Sequence, residues 1–550
     1  MSSVNKNSVQ KSPTFALTTP LYYVNDVPHI GSAYTTLAAD AIARFQRLQG
    51  YEVLLITGTD EHGQKIQRAA ASRGQSPQAH CDTIVARFAE LWDCLNIQYD
   101  RFSRTTSDRH HAIVKAFFQR VWERGDIYLG RQQGWYCVSC EEFKEERDLL
   151  SEKRCPLHPN QVVEWRDEQN YFFRLSKYQT QLEQLYAEQP GFIQPESRRN
   201  EVLSFVQQGL QDFSISRVNL DWGFPVPTDP SHTLYVWFDA LLGYVTALLE
   251  PDAEPTLENA IAHWWPINLH LIGKDILRFH AVYWPAMQLS AGLPLSRQVF
   301  GHGFLTKDGQ KMGKSLGNTL DPFQLVAAYG SEALRYYFLK EIEFGRDGDF
   351  SEVRFINIVN ADLANDLGNL LNRVLKLACR YCEQRVPAIA QRPEGGMAAS
   401  ALPADHPLGA IAAPLGQQVQ QAYSQLAFSD ACNACLRLVQ AGNKFIDEQA
   451  PWQLYKQGQT AQANAVLYVI LESVRLAAYL LSPVIPTTST KIYQQLGFAV
   501  DFNDRTTVAA IAPFAQHAKW GCLPPGQALG EPEPVFRRLE RQDVAPAPVA

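Results

Sequence analysis

The stretch FALTTPLYYVNDVPHIGSAYTTLAADAIARFQRLQGYEVLLITGTDEHG, residues 15–63, decides the fold. Residues 15–24 read as an apolar, aromatic-rich strand. A proline-containing turn leads through His29, Ile30 and Gly31 into a helix reaching Leu48, with Leu37, Ala41, Phe45 and Leu48 on one stripe. The apolar run Val53–Thr57 then enters the polar loop Gly58-Thr59-Asp60-Glu61-His62-Gly63. Strand, turn, helix, strand and polar loop is α/β grammar, and it implies an open parallel sheet with working residues at the carboxyl ends of its strands.

The same grammar returns around 233–239, in a strand over 268–272 that ends in Gly273-Lys274-Asp275, and in a strand over 298–305. Between the halves the texture changes. Residues 134–170 are rich in Cys, Glu, Arg and Trp, without a long helical stripe. After residue 349 long helical stretches rich in Ala, Leu and Gln run to about 481, as in a helical bundle. A chain of 550 residues exceeds what one core sustains. The expected segments are 1–129, a first half of a Rossmann-type catalytic domain; 130–222, an insert; 223–349, the second half; 350–515, an all-α bundle; and 516–550, a tail packing back on the body.

The 50 Lys and Arg against 57 Asp and Glu give a net charge of -7. That excludes a non-specific polybasic coat and leaves room for a local RNA-binding surface. No secretion-type leader and no uninterrupted run of 18 apolar residues occurs, so no membrane attachment is expected. Ten cysteines are too few for a disulfide framework in a chain this long, and a reducing, cytoplasmic location is expected. Cys137-x2-Cys140 and Cys155-x2-His158 form two matched half-sites for a tetrahedral, closed and therefore structural zinc. Cys379-x2-Cys382 and Cys432-x2-Cys435 fall in helical runs and read as packed small side chains.

Two further segments share one chemistry. Pro28-His29-Ile30-Gly31-Ser32 puts a histidine and a glycine at a helix start, where backbone N–H groups suit a phosphate. Lys311-Met312-Gly313-Lys314-Ser315 puts two lysines on a glycine-bracketed loop, able to meet charge developing on a transferring phosphorus. No GxxxxGK[ST], GxGxxG or GxSxG is present, which leaves P-loop, dinucleotide and hydrolase readings unsupported.

These segments resemble the signatures of the class I aminoacyl-tRNA synthetases, HIGH in His29–Ser32 and KMSKS in Lys311–Ser315. PLYYVNDVPHIG, TGTDEHGQKI, WYCVSC, YVWFDALLGY, HLIGKDILRFHAVYWPAM and NKFIDEQAPW are similar to the methionyl-specific branch. Ser32 and Gly313 depart from the family form. The resemblance implies a methionine pocket walled by Leu21, Tyr23, Trp237, Ala240, Leu241, Tyr244 and His302, with Asp60 on the ammonium. Tyr or His donors would meet the sulfur of that polarisable substrate. It implies ATP, with Mg(2+), on His29, Gly31, Ser32, Gly273, Asp275, Lys311 and Lys314, and catalysis by His29, Lys311 and Lys314. It also implies initiator and elongator tRNA(Met) as partners, with the anticodon on Asn369, Arg373 and Trp452, and a monomer. Two rivals stay open: an adenylating relative selecting another amino acid such as leucine or cysteine, and a non-catalytic RNA-binding descendant.

Overall fold

Residues 15–63 form the strand, helix and strand their pattern implies: β1 (Thr14–Tyr23), α1 (Ile30–Leu48) and β2 (Glu52–Asp60). The computed structural model describes residues 13–138, 142–144, 146–156, 158–218, 220–312, 319–388 and 407–542. The chain divides into two compact units, one of Phe15–Ala39 and Leu54–Phe304, the other of Asp40–Val53 and the chain from Leu305 onward.

In the first unit β1 and β2 join β3 (Arg101–Arg104), β4 (Ile193–Gln194), β5 (Leu269–Gly273) and β6 (Val299–His302). They make a six-stranded sheet of order β3-β2-β1-β5-β6-β4. The β2/β3, β1/β5, β5/β6 and β6/β4 pairs all run parallel. The middle of β1 and nearly all of β2 are buried without alternation, as strands covered on both faces must be. Order reverses between β1 and β5, so the crevice past their carboxyl ends is the switch point where ligands bind in such sheets. The helices α2 (Asp108–Glu123) and α3 (Val236–Ala240) pack in the same core, Phe117 of α2 lying edge-on to Phe238 of α3 at 6.0 Å.

Entering residues 130–222, the strand Ile127–Cys137 pairs antiparallel with Glu164–Phe173 in a four-stranded sheet. Arg154–Cys155 and His158–Val162 form a separate hairpin. The stretch is not all insert, however. Ile193–Gln194 is β4, the edge strand of the parallel sheet, and Leu182, Leu185, Tyr186, Val202 and Val206 belong to the main core. A two-residue strand leaves no periodic trace in a sequence, so the Cys- and Trp-rich texture ahead of it set the expected boundary.

The second unit carries α4 (Ser331–Glu341), α5 (Asn369–Tyr381), α6 (Phe428–Gln449), α7 (Pro451–Lys456) and α8 (Thr460–Leu481). By length and average composition α8 is, among the described residues, the one helix apolar enough to cross a membrane. Averaged composition tolerates the Glu472 and Arg475 that break an uninterrupted run. Since 89% of its apolar window is buried, α8 is a core helix. Glu472 and Arg475 pair twice at 2.8 Å inside it. Glu472 also accepts the N–H groups of Gly521, Cys522 and Leu523, and Arg475 donates to the carbonyls of His517 and Lys519. A buried carboxylate and guanidinium are thus satisfied by each other and by the returning tail. Glu472→Ala strands the cation and is expected to cost on the order of 3–5 kcal/mol. Thermal unfolding of the variant checks it, and an unchanged Tm contradicts it.

Candidate active site

The strand ends carry the chemistry. Tyr23, Asp60, Gly273 and His302 are the last residues of β1, β2, β5 and β6. Leu21 of β1, Trp237 and Ala240 of α3, Leu241 and Tyr244 line one narrow apolar pocket, together with Pro20, Ile276 and His280. Tyr23 stands edge-on to Trp237 at 6.2 Å, and Phe279 stacks flat on Trp237 at 4.0 Å. Seven of the expected wall residues thus reduce to five around the pocket, one beside it and one elsewhere.

The one elsewhere is His302. Its Nδ1 donates to the carbonyl of Gly303 at 2.8 Å, and its Nε2 meets the Thr35 hydroxyl on α1 at 2.7 Å. It braces the start of α1 instead of walling the pocket. The histidine of the pocket is His280, which sequence reasoning missed although it ends the run HLIGKDILRFH. His280 sits in a π-helical turn, Phe279–Tyr283, whose extra residue per turn shifts the side-chain register. Its Nδ1 lies 3.0 Å from the Ile276 carbonyl, so Nδ1 carries the proton and Nε2 accepts from the Tyr244 hydroxyl at 2.8 Å. The single proton of Tyr244 is therefore engaged within the wall.

Burial lowers His280 and His302 to about 4 each, partly offset by their backbone hydrogen bonds. Both rings are neutral at pH 7.

A buried carboxylate fixes the pocket from behind. Asp239 of α3, 1% exposed, holds His62 Nδ1 at 2.6 Å and His110 Nε2 at 2.9 Å. Burial pushes the Asp239 carboxyl up, and the two imidazoles more than offset that, so it stays ionised. Asp239 lies between the wall residues Trp237 and Ala240, while His62 lies two residues past Asp60. Glu61 is fully buried and accepts from Thr59, Arg104 and Thr106 at 2.6–2.9 Å. Asp60 itself is 1% exposed. The loop that carries it is held at both following residues.

At the helix start His29 is exposed, and its Nδ1 accepts the N–H of Gly31 at 3.0 Å and approaches that of Ser32 at 3.4 Å. A Cβ on residue 31 would fall 2.9 Å from the imidazole Cε1, so only glycine lets the ring lie there. Ser32 is buried. A Cβ on Gly273 would meet Asp275 Oδ1 at 2.5 Å, placing that exposed carboxylate directly over the end of β5. In the other unit Lys311 belongs to a short strand, Gln310–Lys311, paired with Leu305–Lys307 across an Asp308-Gly309 turn with positive φ at both residues. The Lys311 side chain and all of Lys314 lie outside the described residues.

Residues 15–162 and 149–375 match the family model described as tRNA synthetases class I (M), and 395–546 match the anticodon binding domain of methionyl tRNA ligase. A methionine–tRNA ligase of Nostoc sp. is 70% identical over 97% of this chain and 99% of its own. The chloroplastic/mitochondrial methionine–tRNA ligase of Arabidopsis thaliana is 53% identical over 98% of this chain and 85% of its own. The Mycobacterium tuberculosis methionyl-tRNA synthetase in complex with methionyl-adenylate superposes with a TM-score of 0.86, at 42% identity, covering 96% of this chain and all of that one. The chain belongs to the class I methionyl-tRNA synthetases.

Within this methionyl-tRNA synthetase fold the residues expected to meet the anticodon lie in the second unit. Asn369 is exposed at the start of α5, and Arg373 one turn on reaches Asp447 of α6 at 2.5 Å. Trp452 is half-buried on α7, just after Ala450, whose left-handed φ of 41° makes the corner between α6 and α7. Cys432 and Cys435 are fully buried, as expected. Cys379 and Cys382 are only half-buried, because Cys382 closes α5 and turns its sulfur to the Tyr455 hydroxyl at 3.2 Å. Of the zinc set, Cys137 and Cys155 are fully buried in one small cluster with Val163, and the Cys155 backbone pairs with His158. Cys140 and the His158 side chain lie outside the described residues, and no group of three ligands is found among the described ones.

Asp239→Asn removes the charge that holds both imidazoles and lets the wall helix drift. On the order of a 10–100-fold rise in KM for methionine is expected, with KM for ATP unchanged. Steady-state ATP–pyrophosphate exchange reads both, and a proportional change in the two KM values contradicts the assignment. The neutral histidines set a pH dependence as well. Unfolded histidines titrate near 6.5 and the buried pair near 4, so the folded state binds fewer protons between those values. Stability is full above about pH 6.5 and falls as pH drops toward 4, by up to about 1.4 kcal/mol per pH unit per ring. Denaturant midpoints measured from pH 7 to 5 check the slope, which His302→Gln should reduce.

Proposed function

We propose that the chain charges tRNA(Met), with initiator and elongator tRNA both as partners, through a methionyl-adenylate formed at the β1/β5 switch point. The observation that carries this reading is the pocket of Leu21, Trp237, Ala240, Leu241 and Tyr244 behind the clamp on Asp239. Its aliphatic and aromatic walls suit an unbranched thioether. The Asp60 carboxylate, buried at the end of β2, takes the ammonium. The methionine carboxylate oxygen then attacks the α-phosphorus of Mg-ATP in line, and the bond to pyrophosphate breaks. His29 at the helix start and Lys311 and Lys314 meet the charge that gathers on the phosphates. Gly31 and Ser32 line the nucleotide side, and Gly273 with Asp275 offers an acceptor to the ribose. A terminal ribose hydroxyl of the tRNA next attacks the carbonyl carbon, and AMP leaves. No covalent enzyme intermediate is needed, so the chain works by positioning and charge.

The reading keeps the segments 1–129, 130–222, 223–349, 350–515 and 516–550, with Ile193–Gln194 and the core residues around it returned to the parallel-sheet domain, acting as a cytoplasmic monomer. It also includes one structural zinc on Cys137, Cys140, Cys155 and His158. Two buried thiols in one cluster, with the backbone of the fourth ligand paired to one of them, fit such a site. The metal would pin the hairpin and take no part in the transfer. Asn369 and Arg373 would read base edges of the CAU anticodon and Trp452 would stack on one.

ATP–pyrophosphate exchange with each of the twenty amino acids is expected for methionine alone. Exchange with leucine or cysteine, or none at all, overturns the reading. Trp452→Ala is expected to weaken tRNA by about 1–3 kcal/mol with exchange unaltered. Elemental analysis is expected to give about one zinc per chain.

A further inference from the structure

We propose that the outer face of α5 beyond the anticodon-reading residues tracks the ribose-phosphate backbone of the tRNA anticodon arm, through Lys376 and Arg380. The inference rests on the tRNA-charging reading above and extends it to residues that reading does not use.

Asn369, Arg373, Lys376 and Arg380 are spaced four, three and four apart. At 100° per residue they fall within about 60° of arc on α5 and span about 16 Å along it. The opposite side of α5, Leu370, Leu371, Val374, Leu375 and Ala378, is buried. Lys376 and Arg380 are exposed, and neither forms an ion pair among the described residues. Their neighbours do: Arg373 pairs with Asp447 and Lys444 with Glu448. A cation in the last turn of a helix is favoured by the helix dipole, which accounts for the sign of Arg380. It does not account for Lys376, more than a turn further back.

Nor does it account for how Arg380 is held. Its guanidinium lies over the Tyr381 ring at 5.2 Å, and Tyr381 stacks on Tyr455 at 4.1 Å with an 11° tilt. The Tyr455 hydroxyl donates to Asn464 at 2.6 Å, which fixes the bottom of the pile. A guanidinium seated on an anchored aromatic stack loses less freedom on meeting a phosphate. Tyr455 is also on α7, three residues after Trp452, so the two rings share a side of that short helix. The pile therefore joins the cationic end of α5 to the helix that carries the stacking tryptophan. Two acids stand nearby. Glu383 follows the end of α5, and Glu531 is bound by Gln384. Glu383 lies past the last cation of the stripe, while Glu531 is close enough to Cys379 to help burial push its thiol up. A backbone of regularly spaced negative charge, running from the anticodon loop into its stem, is the occupant this arrangement fits.

The test uses the full chain with both cations replaced, Lys376→Ala with Arg380→Ala, and two transcripts, tRNA(Met) and the same tRNA with an altered anticodon. The double variant is expected to bind both transcripts about tenfold or more weaker, by a similar factor. Its plot of log affinity against log salt is expected to be shallower by about 2, about 1 for each phosphate no longer neutralised. ATP–pyrophosphate exchange and the thermal unfolding midpoint should both be unchanged, the second showing that the helical unit is folded. Lys376→Arg on its own should retain wild-type affinity. An unchanged salt slope, or a loss confined to the cognate anticodon, overturns the proposal while leaving the parent reading intact. A wild-type chain that exchanges pyrophosphate but does not charge tRNA(Met) overturns both.

Discussion

One buried carboxylate organises the catalytic unit. Asp239 is out of contact with water, so it must be paired, and both of its oxygens are taken by imidazoles from separate parts of the chain. His62 arrives from the loop after β2, His110 from the first turn of α2, and Asp239 from the middle of α3. Three elements with no neighbouring positions in sequence are thereby fixed at one point. The pocket lies on one side of that point, since Trp237 and Ala240 flank Asp239. The expected ammonium partner lies on another, since Asp60 precedes His62 by two residues. The shape of the pocket and the position of the buried Asp60 carboxylate are consequences of the same three-way contact.

Much of this frame was legible in the sequence. Apolar runs over 15–24, 53–57 and 268–272 announced a parallel sheet, and the polar residues that follow them announced a crevice. Leu21, Trp237, Ala240, Leu241 and Tyr244 do converge on one pocket. What was missed has a physical reason in each case. His280 needs the π-turn of Phe279–Tyr283 to face Tyr244, and a one-residue change of helical register has no signature in a 3.6-residue pattern. His302 ends a sheet strand, as a site residue should, yet its ring is committed to Thr35 and Gly303. Ile193 and Gln194 are too few to show a strand period. The clamp itself joins residues 62, 110 and 239, and local spacing carries no record of such a contact.

The second unit solves an analogous problem with ion pairs. Asp40, in the second half of α1, accepts from Arg335 at 2.6 Å and Arg44 at 2.7 Å, all three essentially buried. Arg335 directs its other donors to the carbonyls of Pro483 and Val484, just past α8. Glu472 and Arg475 do the same for the tail at 517–523. Buried charge of this kind adds little net stability over apolar packing, but it is intolerant of misalignment. It specifies which loop ends meet which helix in a bundle whose apolar faces alone would accept several registers.

The imidazole of His29 resting on Gly31 has a consequence for what can bind there. The first N–H groups of α1 never stand bare, because the ring nitrogen accepts them. A phosphate oxygen arriving there exchanges one acceptor for another and adds no net hydrogen bond. Any anion seated at this helix end, as the proposed function has it for the phosphates of ATP, would have to displace the protein's own side chain to reach these donors.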